Sequence, residues 1–360
     1  MIVGLGDLGI GVEVRAQLLA VTREASADED REFRRLLPGA AAKARAIAAH
    51  WDFMGPARVI DDFILDILDS VAFAKAKDSS SNARLRRVAV ARLILDFFEI
   101  QDRLPPSVIG LYPAFVARLA KFVTEKATDG YDEDYFAKDV RYALGVTVPC
   151  GALQIDLEAS VGPKLILHDA IATRSVRSVL AYTVSGGWGR WYSNHLDLRA
   201  MKEFTPAGWS ASFAMLAEIL DLNPRIRGIA GVSWFYDPKV ADVSPQLAYI
   251  LHTPMRHGAF LAHMGTDSHH IRNATVRSPI RKKAYEEGRY LPTCYLLAWP
   301  RRPLLEWAQR LRADPSVGFA GPQPATPPRR NVLMFRKVSR REIGRNPRST
   351  RENELPARQL

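Results

Sequence analysis

The feature that most constrains this chain is a change of hydrophobic period near Gly145. Before it, apolar residues recur at helical spacing. Ile60, Phe63, Ile64, Ile67, Leu68 and Val71 share one face of a helix expected over 58–77. Val88, Val90, Leu93, Ile94, Phe97 and Phe98 do the same over 82–103, with Ser79 to Ser81 as candidate N-caps. Pro105-Pro106 breaks the chain before a third apolar helix, 108–126, and a short one is expected over 132–144.

Beyond Gly145 strands and helices alternate. Residues 146–157 are rich in β-branched residues and read as a strand or hairpin about Pro149-Cys150-Gly151. A helix over 175–184 ends at Gly186-Gly187, and 191–198 reads as extended. A strong helix over 207–220 stops at Asn223-Pro224, and a buried strand over 226–236 closes at Asp237-Pro238. Residues 247–251 and 259–264 read as extended, Ser278-Pro279 starts a helix that Gly288 ends, 292–299 is a strand and 303–311 a last helix. The expected class is therefore α+β: a mainly helical region 1–144, a mixed α/β domain 145–313, and a basic, disordered tail 314–360 in which Val332 to Phe335 forms a short apolar patch.

Composition narrows the partners. The net charge of +11 suggests nucleic acid at first, but residues 321–360 hold ten Arg or Lys against three Glu. The rest of the chain carries only about +4, so the charge belongs to the tail, which can contact anionic surfaces or nucleic acid without sequence preference. Two cysteines, Cys150 and Cys294, exclude a disulfide framework and favour a cytoplasmic setting. No uncharged apolar run is long enough for a membrane span, and residues 1–11 lack the basic start of a signal peptide.

Three motifs lose their chemistry in context. Gly4-Leu5-Gly6-Asp7-Leu8-Gly9 fits GxGxxG, but too little chain precedes it for a strand, and it reads as a flexible N-terminal lead. Asp61, Asp62, Asp66 and Asp69 have a DDxxxD spacing without a second acidic site, so a solvated helix face is the plainer reading. Cys150 lies among apolar neighbours with no cation to lower its pKa, as a packed core thiol would.

The stretch from Trp188 to Trp299 is where chemistry concentrates. Six of the eight histidines fall between His195 and His270, and six of the seven tryptophans between Trp188 and Trp307. His195-Leu196-Asp197 is an HxD element on one side of an extended segment, and His252, His257 or His263 would complete a facial iron or zinc site for an oxygenase or hydrolase. The plainer reading is a hydrogen-bonded pair at a strand end. Asp267-Ser268-His269-His270 resembles a ligand cluster but also a surface loop. Ser233 to Pro238 forms a strand exit, where open sheets place ligands.

The order of elements over 207–300 resembles the GNAT-type N-acyltransferase superfamily, with 226–236 as its long central strand and 246–251 as the next. Tyr285, Gly288 and Tyr290 stand where the superfamily has a tyrosine followed by a glycine and an aromatic. The resemblance implies transfer from acyl-CoA or another acyl thioester to an amine, on a small-molecule or acyl-carrier substrate. Tyr285 would be the general acid, Asp237 or His257 the base, and Arg256 with Gly258 the phosphate contacts. Trp188, Trp191, Trp234 and Tyr236 would line the acyl channel. The acyl-CoA loop of that superfamily carries more glycines than Arg256-His257-Gly258 supplies. The other expectations are the metal enzyme built on His195, Asp197 and His252, and a non-enzymatic binding protein that uses the helical half as a platform.

Overall fold

The computed structural model describes residues 3–49, 64–74, 78–100, 104–125, 131, 133–173, 175–196 and 198–314. Asp61, Asp62, Asp197 and the tail with Val332 to Phe335 lie outside the described residues. The class is α+β, as the change of period predicts.

The helical part is built around helix Ser79–Phe97. Val88, Ala89, Val90, Ala91, Leu93 and Ile94 are all fully buried in it, the pattern of a helix enclosed on every side. Its N-cap is Asp78, one residue before the predicted serines; the carboxylate accepts from the Ser81 amide at 2.7 Å. Around it pack helices Val12–Thr22, Tyr112–Thr124 and Glu133–Ala143. The predicted helix over 58–77 is interrupted at Asp69-Ser70 within its described part, and Asp66 and Asp69 are exposed, consistent with a solvated acidic face. The N-terminal glycines do not form a loose lead. Strand β1, Val3–Gly4, pairs antiparallel with β2, Glu99–Ile100, and helix Val12–Thr22 follows directly. Among the described residues no parallel sheet stands behind that glycine run, so the nucleotide reading has no support there.

Among the described residues one stretch, Pro106–Thr124, is long and apolar enough to cross a membrane. Its Tyr112, Phe115, Val116, Leu119 and Val123 are instead buried in the core.

The mixed part carries a six-stranded sheet in the order β3-β4-β5-β6-β8-β7. The strands are β3 Thr147–Cys150, β4 Leu153–Ser160, β5 Arg190–Leu196, β6 Ile226–Ser233, β7 Phe260–Gly265 and β8 Cys294–Pro300. The hairpin predicted about Cys150-Gly151 joins β3 to β4, with Gly151 at φ 73°. All neighbours are antiparallel except β5 and β6, which run parallel and are joined by helix Pro206–Leu222, the crossover that a parallel pair requires. Residues 247–251 are not extended: a turn of 3-10 helix, Pro245–Leu247, runs into helix Tyr249–Arg256. The resemblance expects a strand there, and the structure places a helix.

Each strand sends alternate residues to two layers. Tyr192, Ile229, Leu297 and Trp299 face the large core, beneath helices Pro206–Leu222 and Arg301–Ala313 and continuous with the helical half. Trp191, Ala230, Leu296, Ala298 and Ala262 face the other way, where Ile166 of helix Pro163–Thr173 and Tyr182 of helix Arg177–Val184 cover them. Gly228 makes the close packing of β6 possible. A Cβ there would lie 2.3 Å from the Trp299 carbonyl oxygen and 2.6 Å from the Trp191 ring. Gly228→Ala is expected to cost about 2–3 kcal/mol by overpacking. Thermal denaturation checks this, and an unchanged Tm would show that the strands give way freely.

Candidate functional site

The parallel pair sets where a site can form. In open α/β sheets, ligands settle at the carboxyl ends of parallel strands, where strand order reverses. Here those ends are His195-Leu196 of β5 and Ser233 of β6, which runs into a 3-10 turn, Trp234–Tyr236. The two strands are drawn together at this end. Asn194 Nδ2 donates to the Tyr236 hydroxyl at 2.8 Å, and a Cβ on Gly231 would meet the Asn194 side chain at 2.4 Å.

His195 points to the face opposite Asn194, and its partner there is Asp156 of β4. Register explains the meeting: His195 is paired with Gln154, and Asp156 with Ser193, so both side chains emerge on one face of adjacent strands. His195 Nε2 lies 3.0 Å from Asp156 Oδ2. Arg141 Nη1 donates to the same oxygen at 3.0 Å, and the Thr147 hydroxyl donates to Oδ1. Burial alone would raise the Asp156 pKa, but His195, Arg141 and Thr147 outweigh it and hold the carboxyl at about 2.

An ionised carboxylate only accepts, so Nε2 of His195 carries the proton in this contact. The other ring nitrogen, Nδ1, is then a free base in the neutral ring, and it has no partner among the described residues. The His195 side chain is 43% exposed while that of Asp156 is 11% exposed. An oriented, partly open imidazole on a buried carboxylate can take a proton from a nucleophile and return it to a leaving group.

The residues that sequence analysis singled out do not all converge. Asp197 lies outside the described residues. His252 sits on helix Tyr249–Arg256, which contacts Trp209 through Tyr249 on the large-core side of the sheet, whereas His195 faces the other layer. Among the described residues, which exclude Asp197, no three of His, Cys, Asp and Glu come together as a metal would need, and His195 and His252 stand on opposite faces of the sheet. Asp267 is an N-cap, accepting from the His270 amide at 2.8 Å, and 267–270 begins helix Ser268–Thr275 rather than a loop.

His257 ends helix Tyr249–Arg256, with its carbonyl accepting from the Trp299 indole at 2.9 Å and its Nδ1 3.3 Å from Arg310. Burial lowers its pKa, and Arg310 and Arg256 lower it further. Arg256 and Gly258 flank a helix C-terminus, where carbonyls concentrate negative charge and repel phosphate. A Cβ on Gly258 would stand 2.9 Å from Pro303, so its backbone faces packed protein. These residues do not fit a CoA pyrophosphate. The start of helix Pro206–Leu222 offers little more, since Pro206 has no amide proton and Thr205 already accepts from the Gly208 amide.

Asp237 is buried and its carboxylate accepts from the amides of Lys239 and Thr293. Burial raises its pKa against those bonds. Tyr290 and Tyr295, not Tyr285, are the tyrosines beside it; Tyr285 stands 37% exposed on helix Pro279–Glu286 and is joined neither to Asp237 nor to His257. Tyr285, Asp237 and His257 therefore make no common catalytic centre.

The aromatic set is divided among three clusters rather than lining a channel. Trp191 is buried with Tyr182, and Tyr236 belongs to the large core. Trp234 stacks on Phe235 at 3.9 Å and under the buried Arg281 guanidinium at 4.7 Å, while Trp188 is exposed. Arg281 itself donates to the Ala274 carbonyl and to Ser244, capping the end of helix Ser268–Thr275. Cys150 is fully buried, and burial pushes its thiol up, as expected of a core cysteine.

What sequence analysis missed is Asp156. The alternation Gln154, Asp156, Glu158 against Leu153, Ile155, Leu157 marks a strand with one polar face, the available signal. Searches against protein-family models, curated proteins and solved structures return no significant match for this chain.

Proposed function

We propose that the protein is an acyl-transfer enzyme in which His195, oriented by Asp156, is the general base. The observation that carries this is the His195–Asp156 contact, with no partner for Nδ1 among the described residues, at the carboxyl end of a parallel strand. The resemblance over 207–300 supplies the reaction class: an acyl thioester as donor and an amine as acceptor. Nδ1 of His195 takes the amine proton as nitrogen attacks the thioester carbonyl. The carbon–sulfur bond then breaks, and the same proton passes from His195 to the departing thiolate. A single oriented histidine serves both steps, so neither Tyr285 nor Asp237 is needed. Because 256–258 does not suit a pyrophosphate, the reading asks only for a thioester.

The test is release of free thiol from S-acyl N-acetylcysteamine, a phosphate-free donor, with a panel of primary amines. His195→Ala is expected to lower turnover by roughly 10^2–10^4-fold with the fold intact. Equal turnover by wild type and His195→Ala, or none by wild type with any donor, overturns the proposal.

A further inference from the structure

Helices Pro163–Thr173 and Arg177–Val184 pack on each other and on β7, forming a two-helix layer over one face of the sheet. Their inner sides carry Ile166, Asp169, Ser178 and Tyr182, all buried. Their outer sides are unlike an ordinary solvated surface. Leu167 and Ile171 on the first helix and Leu180 and Val184 on the second are 54% to 88% exposed. Val176 in the connection and Trp188 just beyond the second helix are also exposed. Spacings of four place each pair on one side of its helix, and both outer sides face away from the sheet. The result is one apolar surface on a chain whose aromatic residues are otherwise mostly buried.

The charge carried on the helical pair itself is mostly of one sign. Among the described residues of 163–190 the cations are Lys164, Arg177 and Arg190, and the one acidic residue is Asp169. Asp169 is buried, where it accepts from Ser178 and from the His263 amide. Three of the hydroxyl groups here do not offer their protons outward either. Thr173, Thr183 and Ser185 each donate to the carbonyl four residues earlier in their own helix. A protein partner is ordinarily met by a rim of mixed charge and a hydrogen bond for each 100–200 Å². An anionic bilayer asks for the opposite: apolar side chains, a tryptophan at the headgroup level, cations, and polar protons satisfied internally.

We infer that the outer face of this helical pair docks on an anionic lipid surface, with Leu167, Ile171, Leu180, Val184 and Trp188 entering the headgroup boundary. Lys164 and Arg177, both exposed, stand among the anionic headgroups. The docking does not depend on the acyl-transfer reading.

The experiment uses the full chain with vesicles of phosphatidylcholine alone or with about one-third phosphatidylglycerol. Flotation is expected to show binding to the anionic vesicles only. With Trp51 replaced by Phe throughout, brominated lipids should quench tryptophan fluorescence, and that quenching should vanish when Trp188→Phe is added, because the other described tryptophans are at most 7% exposed. Leu180→Glu/Val184→Glu should weaken binding at least about ten-fold without moving Tm, since both positions are solvent-facing. Three results overturn the inference. One is no binding to anionic vesicles. Another is binding undiminished in the double variant, which assigns it to the basic tail. The third is a wild-type dimer that ignores vesicles and that the double variant turns into a monomer.

Discussion

Asp139→Ala should destabilise the protein by about 3–5 kcal/mol, the cost of breaking a buried ion pair by removing one member. Asp139 is fully buried on helix Glu133–Ala143. Arg199 grips it with two bonds, Nη1 to Oδ2 at 3.0 Å and Nη2 to Oδ1 at 2.7 Å, and the Tyr131 hydroxyl donates to it at 3.0 Å. The guanidinium also lies 4.9 Å from the Phe122 ring centre and 5.3 Å from that of Tyr135. Removing the carboxylate takes from Arg199, whose side chain is 11% exposed, the two bonds and the negative charge that Asp139 supplies. Arg199 belongs to the 3-10 segment Leu198–Glu203 that follows β5, so this pair ties the chain just after His195 to the helical half. Thermal denaturation should show a Tm lower by on the order of 10 °C. Asp139→Leu combined with Arg199→Met should recover most of the loss, because it removes both desolvated charges together. A single variant within about 1 kcal/mol of wild type would mean that water already reaches the pair.

The fold was more legible than the site because period is a local signal and side-chain convergence is not. Every strand from β3 to β8 overlaps a segment read as extended, although β4 runs on to Ser160, past the expected end at 157. The error at 247–251 came from a short apolar run, which length alone leaves open between strand and helix. Buried Ile250, Leu251 and Pro254 are one and three residues apart, a helical spacing that becomes visible only once Pro254 is counted as apolar. Tryptophan enrichment pointed to a real feature of another kind. Trp209, Trp299 and Trp307 with Phe213 fill the space between the sheet and its two helices, at ring separations of 5.1–6.1 Å. Large aromatic rings supply much buried area per residue, so their clustering marks a core as readily as a pocket. His195 stood out because its chemistry is visible in one letter. Its partner did not, since Asp156 precedes it by 39 positions and two helices intervene between their strands. Only the register of β4 against β5 brings them together, and the nearby Asp197 offered a simpler pairing.

Asp156→Asn separates a structural role from a positioning role for that same carboxylate. Its pKa is held at about 2 against an ordinary value near 4, which corresponds to about 2 kcal/mol of stability at neutral pH. The folded value is the lower one, so this contribution is present above about pH 4 and is lost as pH falls through about 2. Wild type should therefore lose its advantage over Asp156→Asn across that window, measured by urea denaturation at successive pH values. The effect on catalysis should be far larger. Asparagine keeps the shape but brings an amide that can donate to Nε2, which moves the ring proton to Nδ1 and removes the free base. Thiol release should fall by roughly 10^2–10^4-fold in kcat, with KM little changed, because the change leaves substrate contacts in place. A variant that loses about 2 kcal/mol yet turns over at the wild-type rate would make Asp156 an anchor for Arg141 and Thr147 alone, and His195 would then lack the orientation on which the acyl-transfer reading rests.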